Sequence, residues 1–270
     1  MDISQAKHAF ITGGASGIGL GIADALLKRG VAVTIVDNDA EGIAAVIAER
    51  KGQRIGGRQL DVRDLAGWAR VKAEAEAEFG AVDILVANAG IGPDGEYLWD
   101  ATAESLERLL AINVGGIFNA ISAFAGDMRD RRRGYIVVTG SMAGLAAQDF
   151  PRIGTYTASK YAVVGLSEVL RNEMAPYGVG VSTLCPGMVA SNLGKNTTRM
   201  GFRGKPLDLG GAPEAGPRAP AMDPAKVGER TVAGIIAEER FIITHPDDWA
   251  EVGARCRALE EAFGQSAPAQ

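Results

Sequence analysis

The sequence predicts a single-domain α/β protein built on a doubly wound parallel sheet, and three observations carry that prediction. Short apolar runs alternate with amphipathic stretches of helical period along most of the chain, the rhythm of a parallel sheet covered by helices on both faces. The string Thr12-Gly13-Gly14-Ala15-Ser16-Gly17-Ile18-Gly19 lies between an apolar run at 9–11 and a helical one at 20–27, the order strand, glycine turn, helix. The next run, 31–36, is almost continuously apolar, as a parallel strand buried on both faces must be, and it ends in Asp37.

The remaining elements follow in order. Residues 41–51 read as a helix with Ile43, Val46 and Ile47 on one side, 54–60 as a weak third strand, and 64–80 as a charged helix closed by Gly80. Residues 82–87 form a fourth strand that runs into Asn88-Ala89-Gly90. One long helix is expected over 104–130, with Asn113 inside it, then a fifth strand over 135–139 ending at Gly140-Ser141. A helix over 155–176 stops near Pro176 and Gly178; strands follow at 180–184 and 240–244. No repeat, linker or internal boundary appears in the 270 residues, a length that suits one large domain. The stretch 188–224 is rich in Gly and Pro and lies beyond a strand's carboxyl end, so it reads as a substrate lid, with a loose insertion as the alternative. Trp249, Val252, Cys256, Leu259 and Phe263 in the 247–263 helix form a stripe expected to pack against the core or another subunit.

Bulk properties narrow the function. Twenty-eight basic against 33 acidic residues give a net charge of −5, which argues against a nucleic-acid binder held by phosphate contacts. The two cysteines, Cys185 and Cys256, form no disulfide framework and lack zinc-site spacing; Cys185, between an apolar run and Pro186, is expected to be buried. His8 and His245 stand apart and indicate neither a metal site nor a general base, so no metal is expected. The Arg129–Arg133 cluster reads as a solvated helix end rather than a polyanion site. No apolar run is read as long enough to span a membrane, the first strand starts too early for a signal segment, and a reducing cytoplasmic setting is expected.

The glycine string points to a dinucleotide. Glycines permit a sharp turn and close approach to a ligand, and a helix starting there aims unpaired N–H groups at a pyrophosphate. Asp37, 18 positions after Gly19, is placed to accept hydrogen bonds from an adenosine ribose. Its charge opposes the extra phosphate of NADP, and no Arg or Lys stands at Asn38, Ala15 or Ser16 to hold one, so the cofactor read from these residues is NAD. Asp61 either meets the adenine edge or caps the following helix.

Tyr156-Thr157-Ala158-Ser159-Lys160 places a phenol and an ammonium on one helical face. A tyrosine titrating at about 10 needs roughly 4 kcal/mol of preference for the phenolate to act as a base near pH 7, and a cation about 4 Å away supplies a contribution of that order. The residues 12–19, Asn88-Ala89-Gly90, Asn113, Ser141, Tyr156 with Lys160, and Pro186-Gly187 occur in an order and spacing that resemble the short-chain dehydrogenase/reductase family over about residues 7–190. That resemblance implies a seven-stranded Rossmann-type sheet and hydride transfer between a nicotinamide and a carbinol or carbonyl carbon. It implies that Tyr156 exchanges a proton with the substrate oxygen, that Ser141 hydrogen-bonds that oxygen, and that Lys160 lowers the pKa of Tyr156 and binds the nicotinamide ribose. Asn113 is implied to hold a water linking Lys160 to solvent. Gly13, Ser16, Gly17, Ile18 and Gly19 are implied on the pyrophosphate side, Asp61 and Val62 at the adenine, Asn88, Ala89 and Gly90 between adenosine ribose and nicotinamide, and Pro186, Gly187, Val189 and Ser191 at the carboxamide.

Two departures from the family pattern stand out. Ser141 and Tyr156 are 15 apart where 13 is commoner, which places extra residues in 144–154 beside the substrate. Ser191 stands where many members have threonine. Met142, Leu145, Phe150, Met188, Met200 and Phe202 indicate an apolar pocket for a cyclic or aromatic alcohol. The function read is an NAD-dependent secondary-alcohol dehydrogenase or the reverse ketone reductase, acting on a small molecule. Family resemblance implies a homo-oligomer, tetramer or dimer, built on the 104–130 and 155–176 helices. The rival is a noncatalytic NAD-binding sensor or scaffold, which would not need Asn113, Ser141, Tyr156 and Lys160 together.

Overall fold

The computed structural model describes residues 1–147, 151–199 and 221–265. Seven strands, β1 (His8–Thr12), β2 (Ala32–Asp37), β3 (Ile55–Gln59), β4 (Ile84–Ala87), β5 (Tyr135–Thr139), β6 (Gly180–Cys185) and β7 (Phe241–Ile243), form one sheet in the order β3-β2-β1-β4-β5-β6-β7. Every neighbouring pair is parallel. The chain winds outward from β1 to β3, then crosses back to β4 and outward to β7. The crevice between the carboxyl ends of β1 and β4 is therefore the topological switch point, where open α/β sheets bind ligands. The apolar runs are buried on both faces because helices cover both: β1, β4 and β5 are buried throughout.

On one face, α1 (Gly17–Leu27), α2 (Ala40–Glu49) and α8 (Pro224–Ile236) cover a core containing Ile11, Ile22, Leu26, Ile35, Val232 and Ile235. On the other, α3 (Leu65–Phe79), α4 (Ala103–Leu110), α5 (Gly116–Arg131) and α6 (Gly154–Met174) cover Phe10, Trp68, Leu109, Phe124 and Val163. A short helix, α7 (Leu193–Arg199), follows β6, and α9 (Trp249–Gln265) ends the described chain.

Two expectations need correction and two are refined. The helix expected over 104–130 is two helices, joined by a π turn at Ala111–Gly115 that carries Asn113. The stretch Ala103–Arg131 is apolar and long enough to cross a membrane by composition, contrary to expectation. Here its buried side packs into the core through Leu109, Ile117 and Phe124. Of the two partners expected for the α9 stripe, the core does not cover it and another subunit is left: Gly253 is the one buried residue of α9, and Trp249 and Phe263 are 63% and 78% exposed. The arginines at the end of α5 are exposed, as expected of a solvated helix end, and Arg131, Arg132 and Arg133 also donate to the carbonyls of Val82, Pro176 and Gln5, with Arg133 paired to Asp83. Most of the stretch expected to form a lid, 200–220, lies outside the described residues, as do Phe150, Met200 and Phe202. Cys185 is fully buried, as expected.

Helix α8 has no counterpart in the sequence reading. Asp223 caps it through Ala225 N–H, Pro224 occupies its first turn, and it crosses α1 with almost no side chain between the two backbones. A Cβ on Gly228 would lie 2.0 Å from the carbonyl oxygen of Gly21, and one on Gly21 would lie 2.1 Å from that of Pro224. Both obstacles are backbone and cannot rotate away. Gly228→Ala is expected to force the helices apart and destabilise the protein by about 1–3 kcal/mol, as overpacking does. An unchanged denaturant midpoint would contradict this close crossing.

Candidate active site

The site begins at the switch point. Gly13 has φ +65° and Gly17 φ +53°, left-handed conformations that favour glycine, and they turn the chain from β1 into α1. Ser16 starts α1 without closing its end through its side chain, so the helix presents N–H groups to the crevice. Thr12 Oγ1 accepts from the N–H groups of Asn88 and Ala89, both at 2.9 Å, while Asn88 Nδ2 donates to the carbonyl of Thr12 at 3.0 Å. This fixes the glycine turn against the segment after β4.

A cavity of about 690 Å³ opens there. Gly13, Ser16, Gly17, Ile18, Asp37, Asp61, Val62, Asn88, Ala89, Gly90, Ser141, Tyr156, Lys160, Pro186, Gly187, Val189 and Ser191 all line it. Two expected site residues do not. Gly19 faces the turn behind the cavity, where a Cβ would fall 2.2 Å from the carbonyl oxygen of Gly13, so its smallness serves helix-to-turn packing. Asn113 is fully buried behind the wall, with Oδ1 accepting from Ile91 N–H at 2.8 Å and Nδ2 donating to the carbonyl of Ile91 and to Ser159 Oγ. Ser159 Oγ in turn donates to the carbonyl of Tyr156 at 2.7 Å. The Asn113 side chain is thus committed to a clamp between the β4 end and α6, and Ser159, which the sequence reading passed over, completes that clamp.

At one end of the cavity, Asp37 accepts from the N–H groups of Ala15 and Asp39, each at 3.2 Å, and burial pushes its carboxyl above the usual range. Asp61 does not cap α3. It pairs with Arg63, whose guanidinium holds the carboxyl of Asp61 below the usual range. At the other end, Ser141 is held between strands: Gly140 N–H donates to the carbonyl of Leu184 and Met142 N–H to that of Pro186. Ser141 Oγ accepts from Ala143 N–H at 3.1 Å and acts to lower the pKa of the Tyr156 phenol. The Lys160 ammonium donates to the carbonyl of Thr139 at 3.0 Å and lies 5.6 Å from the Tyr156 ring centroid.

The electrostatics differ from expectation. Burial pushes Tyr156 above its ordinary value and outweighs the opposing effect of the Ser141 hydroxyl. Burial lowers Lys160 to about 8, against the attraction of the neighbouring Cys185, which burial raises to about 12.

Of the three expected pocket residues among the described residues, Met188 lines the cavity, Met142 is buried, and Leu145 does not line it. Ile91, Pro93, Ile153 and Leu193 supply apolar surface instead. His245, Asp248 and Glu251 also reach the wall, and His245 Nδ1 accepts from Gly187 N–H at 3.1 Å. His8 lies elsewhere, buried between the carbonyl of Gly80 and the hydroxyl of Thr34. No metal-ligating cluster occurs among the described residues.

A dinucleotide-binding crevice joined to a Ser–Tyr–Lys constellation defines an oxidoreductase site, and comparison with known proteins agrees. A family model described as short chain dehydrogenase matches residues 7–200; the chain belongs to the short-chain dehydrogenase/reductase family. "Oxidoreductase UcpA" of Salmonella typhimurium is 34% identical over 241 residues, covering 88% of this chain and 90% of the relative. "D-threitol dehydrogenase" of Mycolicibacterium smegmatis is 40% identical over 197 residues, 70% of this chain and 72% of that one. A short chain dehydrogenase/reductase from Burkholderia phymatum in complex with NAD superposes with a TM-score of 0.84 at 29% identity, both chains covered fully. One from Sphingobium yanoikuyae in complex with NADPH gives 0.77 at 25% identity over 98% and 97%.

The lowered Lys160 sets a pH dependence of stability. An unfolded lysine titrates near 10.5 and the folded one near 8, so between those values the unfolded chain binds more protons and stability rises with pH. Below about pH 8 the full penalty of a buried cation remains. Wild type relative to Lys160→Met is expected to gain stability from pH 8 to 10.5, at up to about 1.4 kcal/mol per unit. Cys185, whose raised value acts in the opposite sense above pH 9, is coupled to Lys160 and does not cancel in this difference, so the gain is read between pH 8 and 9. Parallel stability profiles for the two proteins would contradict this.

Proposed function

We propose that the protein is an NAD-dependent dehydrogenase that oxidises a secondary alcohol to a ketone, or runs the reverse reduction. The observation that carries this reading is the convergence of Ser141, Tyr156 and Lys160 on one cavity wall, with the Lys160 ammonium 5.6 Å from the Tyr156 ring centroid. Gly13, Ser16, Gly17 and Ile18 would hold the pyrophosphate, Asp37 the adenosine ribose, Asp61 and Val62 the adenine, and Pro186, Gly187, Val189 and Ser191 the nicotinamide end. When bound, the nicotinamide supplies the hydride acceptor for the carbinol hydrogen.

The chain's own residues handle the proton. Ser141, oriented by Ala143 N–H, donates to the substrate oxygen and stabilises the charge that develops on it. Tyr156 takes the hydroxyl proton as the carbinol C–H bond breaks and a carbonyl forms, and returns it in the reverse direction. Lys160, titrating near 8, is largely protonated at neutral pH. A unit charge about 5 Å from a phenolate, at an effective dielectric of about 20, contributes roughly 3 kcal/mol toward ionisation. That is about two pKa units, and the cationic nicotinamide adds to it. These charges oppose the burial that raises Tyr156.

Asp37 supports NAD over NADP, because among the described residues no cation lines that end of the cavity. The two cofactor complexes above differ in this respect, one holding NAD and one NADPH. The wall formed by Ile91, Pro93, Ile153, Met188 and Leu193 supports an uncharged substrate with an apolar body. The name of the M. smegmatis relative supports an alcohol as the reacting group. We take the chain as one catalytic domain, working in the cytoplasm as a homo-oligomer. Phe118 on α5 and Val169 on α6, both more than half exposed, support a contact between copies on those helices.

Tyr156→Phe is expected to abolish turnover while NAD affinity stays within about 2-fold, since no charged contact is lost; turnover at the wild-type rate would overturn the mechanism. Asp37→Ser is expected to weaken NAD about 10- to 150-fold, the loss of a hydrogen bond to a charged group, and to leave NADP binding equal or tighter. Unchanged preference between the two cofactors would show that Asp37 does not select.

A further inference from the structure

The turn after β7 reaches back to the segment after β6, and His245 makes the contact. Pro246 keeps the residue before it out of the helical conformation (His245 φ −126°, ψ 80°), so the chain leaves β7 extended before a short turn at Pro246–Asp248. That brings the His245 ring to Gly187, 58 positions earlier. Gly187 N–H donates to His245 Nδ1 at 3.1 Å and, more distantly, to Thr244 Oγ1 at 3.4 Å. A backbone N–H can only donate, so Nδ1 keeps its lone pair and the neutral ring carries its proton on Nε2. Thr244 Oγ1, 2.7 Å from the same Nδ1, then donates to it.

The contact is close in shape as well. A Cβ on Gly187 would lie 2.7 Å from His245 Cγ, 2.8 Å from Nδ1 and 2.9 Å from Asp248 Oδ2. Gly187 does not have the left-handed φ that calls for glycine; the space its side chain would take is filled by the imidazole and the Asp248 carboxylate. The neighbours of Gly187 are tethered too. The Pro186 carbonyl accepts from Met142 N–H, beside Ser141, and the Met188 carbonyl accepts from Met222 N–H, both at 2.9 Å. Those two tethers are backbone to backbone. The one between them ends on a side chain, and all three anchored residues line the cavity.

We propose that His245 is a positioning residue for the nicotinamide end of the cofactor: its bare Nδ1 holds Gly187 so that Pro186, Gly187 and Met188 present a fixed stretch of wall. The proposal rests on the dinucleotide reading of the cavity. It assigns the work to one nitrogen. A side chain with an acceptor at the position of Nδ1 can do the same work, and one whose acceptor stands a bond further out cannot.

The test is calorimetric titration of wild type, His245→Leu, His245→Gln and His245→Asn with NAD and, separately, with ADP-ribose, which lacks only the nicotinamide ring. Thermal unfolding of each protein without ligand reports folding. His245→Leu and His245→Gln are expected to bind NAD about 3- to 10-fold more weakly, because NAD must then re-order a segment that has lost one hydrogen bond. Their ADP-ribose affinity should stay within about 2-fold of wild type. His245→Asn should keep NAD affinity within about 2-fold, because asparagine Oδ1 stands as many bonds from the backbone as Nδ1 does. NAD bound by His245→Leu as tightly as by wild type, His245→Asn as weak as His245→Gln, or ADP-ribose weakened as much as NAD would overturn the proposal while leaving the dinucleotide site in place. If His245→Leu does not fold, the contrast between the Asn and Gln variants decides by itself. Wild type that binds neither NAD nor ADP-ribose would instead remove the dinucleotide reading and the proposal with it.

Discussion

Thr12 and Asn88 are tied together at the one place in the sheet where the winding reverses, and the site depends on that tie. The sheet turns outward in both directions from β1 and β4, so the chain segments beyond these strands diverge and leave a crevice. Without a cross-link, the glycine turn would have no fixed distance from the segment after β4. A single threonine hydroxyl accepting two backbone N–H groups, with an asparagine amide returning to the turn, sets that distance. Gly19 then lets α1 seat directly on the turn, and the crossing of Gly21 and Gly228 holds α1 from behind through α8. The α1 N-terminus is thereby aimed into the crevice by backbone contacts rather than by flexible side chains.

The proton-handling groups are set by a second clamp. Asn113, in a π turn between α4 and α5, bonds both polar groups of Ile91 and reaches Ser159, which bonds the carbonyl of Tyr156. The β4 end and the first turn of α6 are thus joined through fully buried contacts. Burial that makes this geometry rigid also works against charge: it raises Tyr156 and lowers Lys160. Under the proposed function, the positive charge of the cofactor offsets this burial, which would tie proton transfer to cofactor binding.

Much of this was legible in the sequence because the signals were strong and local. Continuous apolar runs between glycine turns fix buried parallel strands, and all seven strands lie where those runs are. The residues that line the cavity come mostly from strand ends, where a short motif and its strand are read together. What was not legible has physical causes. A π turn keeps the apolar spacing of the helices around it, so the 104–130 pattern did not reveal the break at Ala111–Gly115. Gly19 looks the same in sequence whether it clears space for a ligand or for Gly13; only the 2.2 Å approach distinguishes them. The Asp223-Pro224 start of α8 was a readable signal, obscured by the Gly- and Pro-rich stretch before it. Counting Lys160 as a neighbour of Tyr156 predicted a lowered phenol, but burial, which sequence spacing does not report, dominates. Distance along the chain hid His245, Asp248 and Glu251, whose place in the wall follows from the turn after β7.

The most direct measurement of the central claim offers the protein NAD and a panel of secondary alcohols deuterated at the carbinol carbon, from small aliphatic to bulky aromatic. Reduced nicotinamide is followed by absorbance and its isotope content by mass spectrometry. The account predicts that reduced cofactor accumulates with NAD, that it carries the carbinol deuterium, and that an apolar, uncharged alcohol gives the highest rate. NAD bound tightly with no turnover of any alcohol, and none in the reverse direction with the matching ketones, would contradict it.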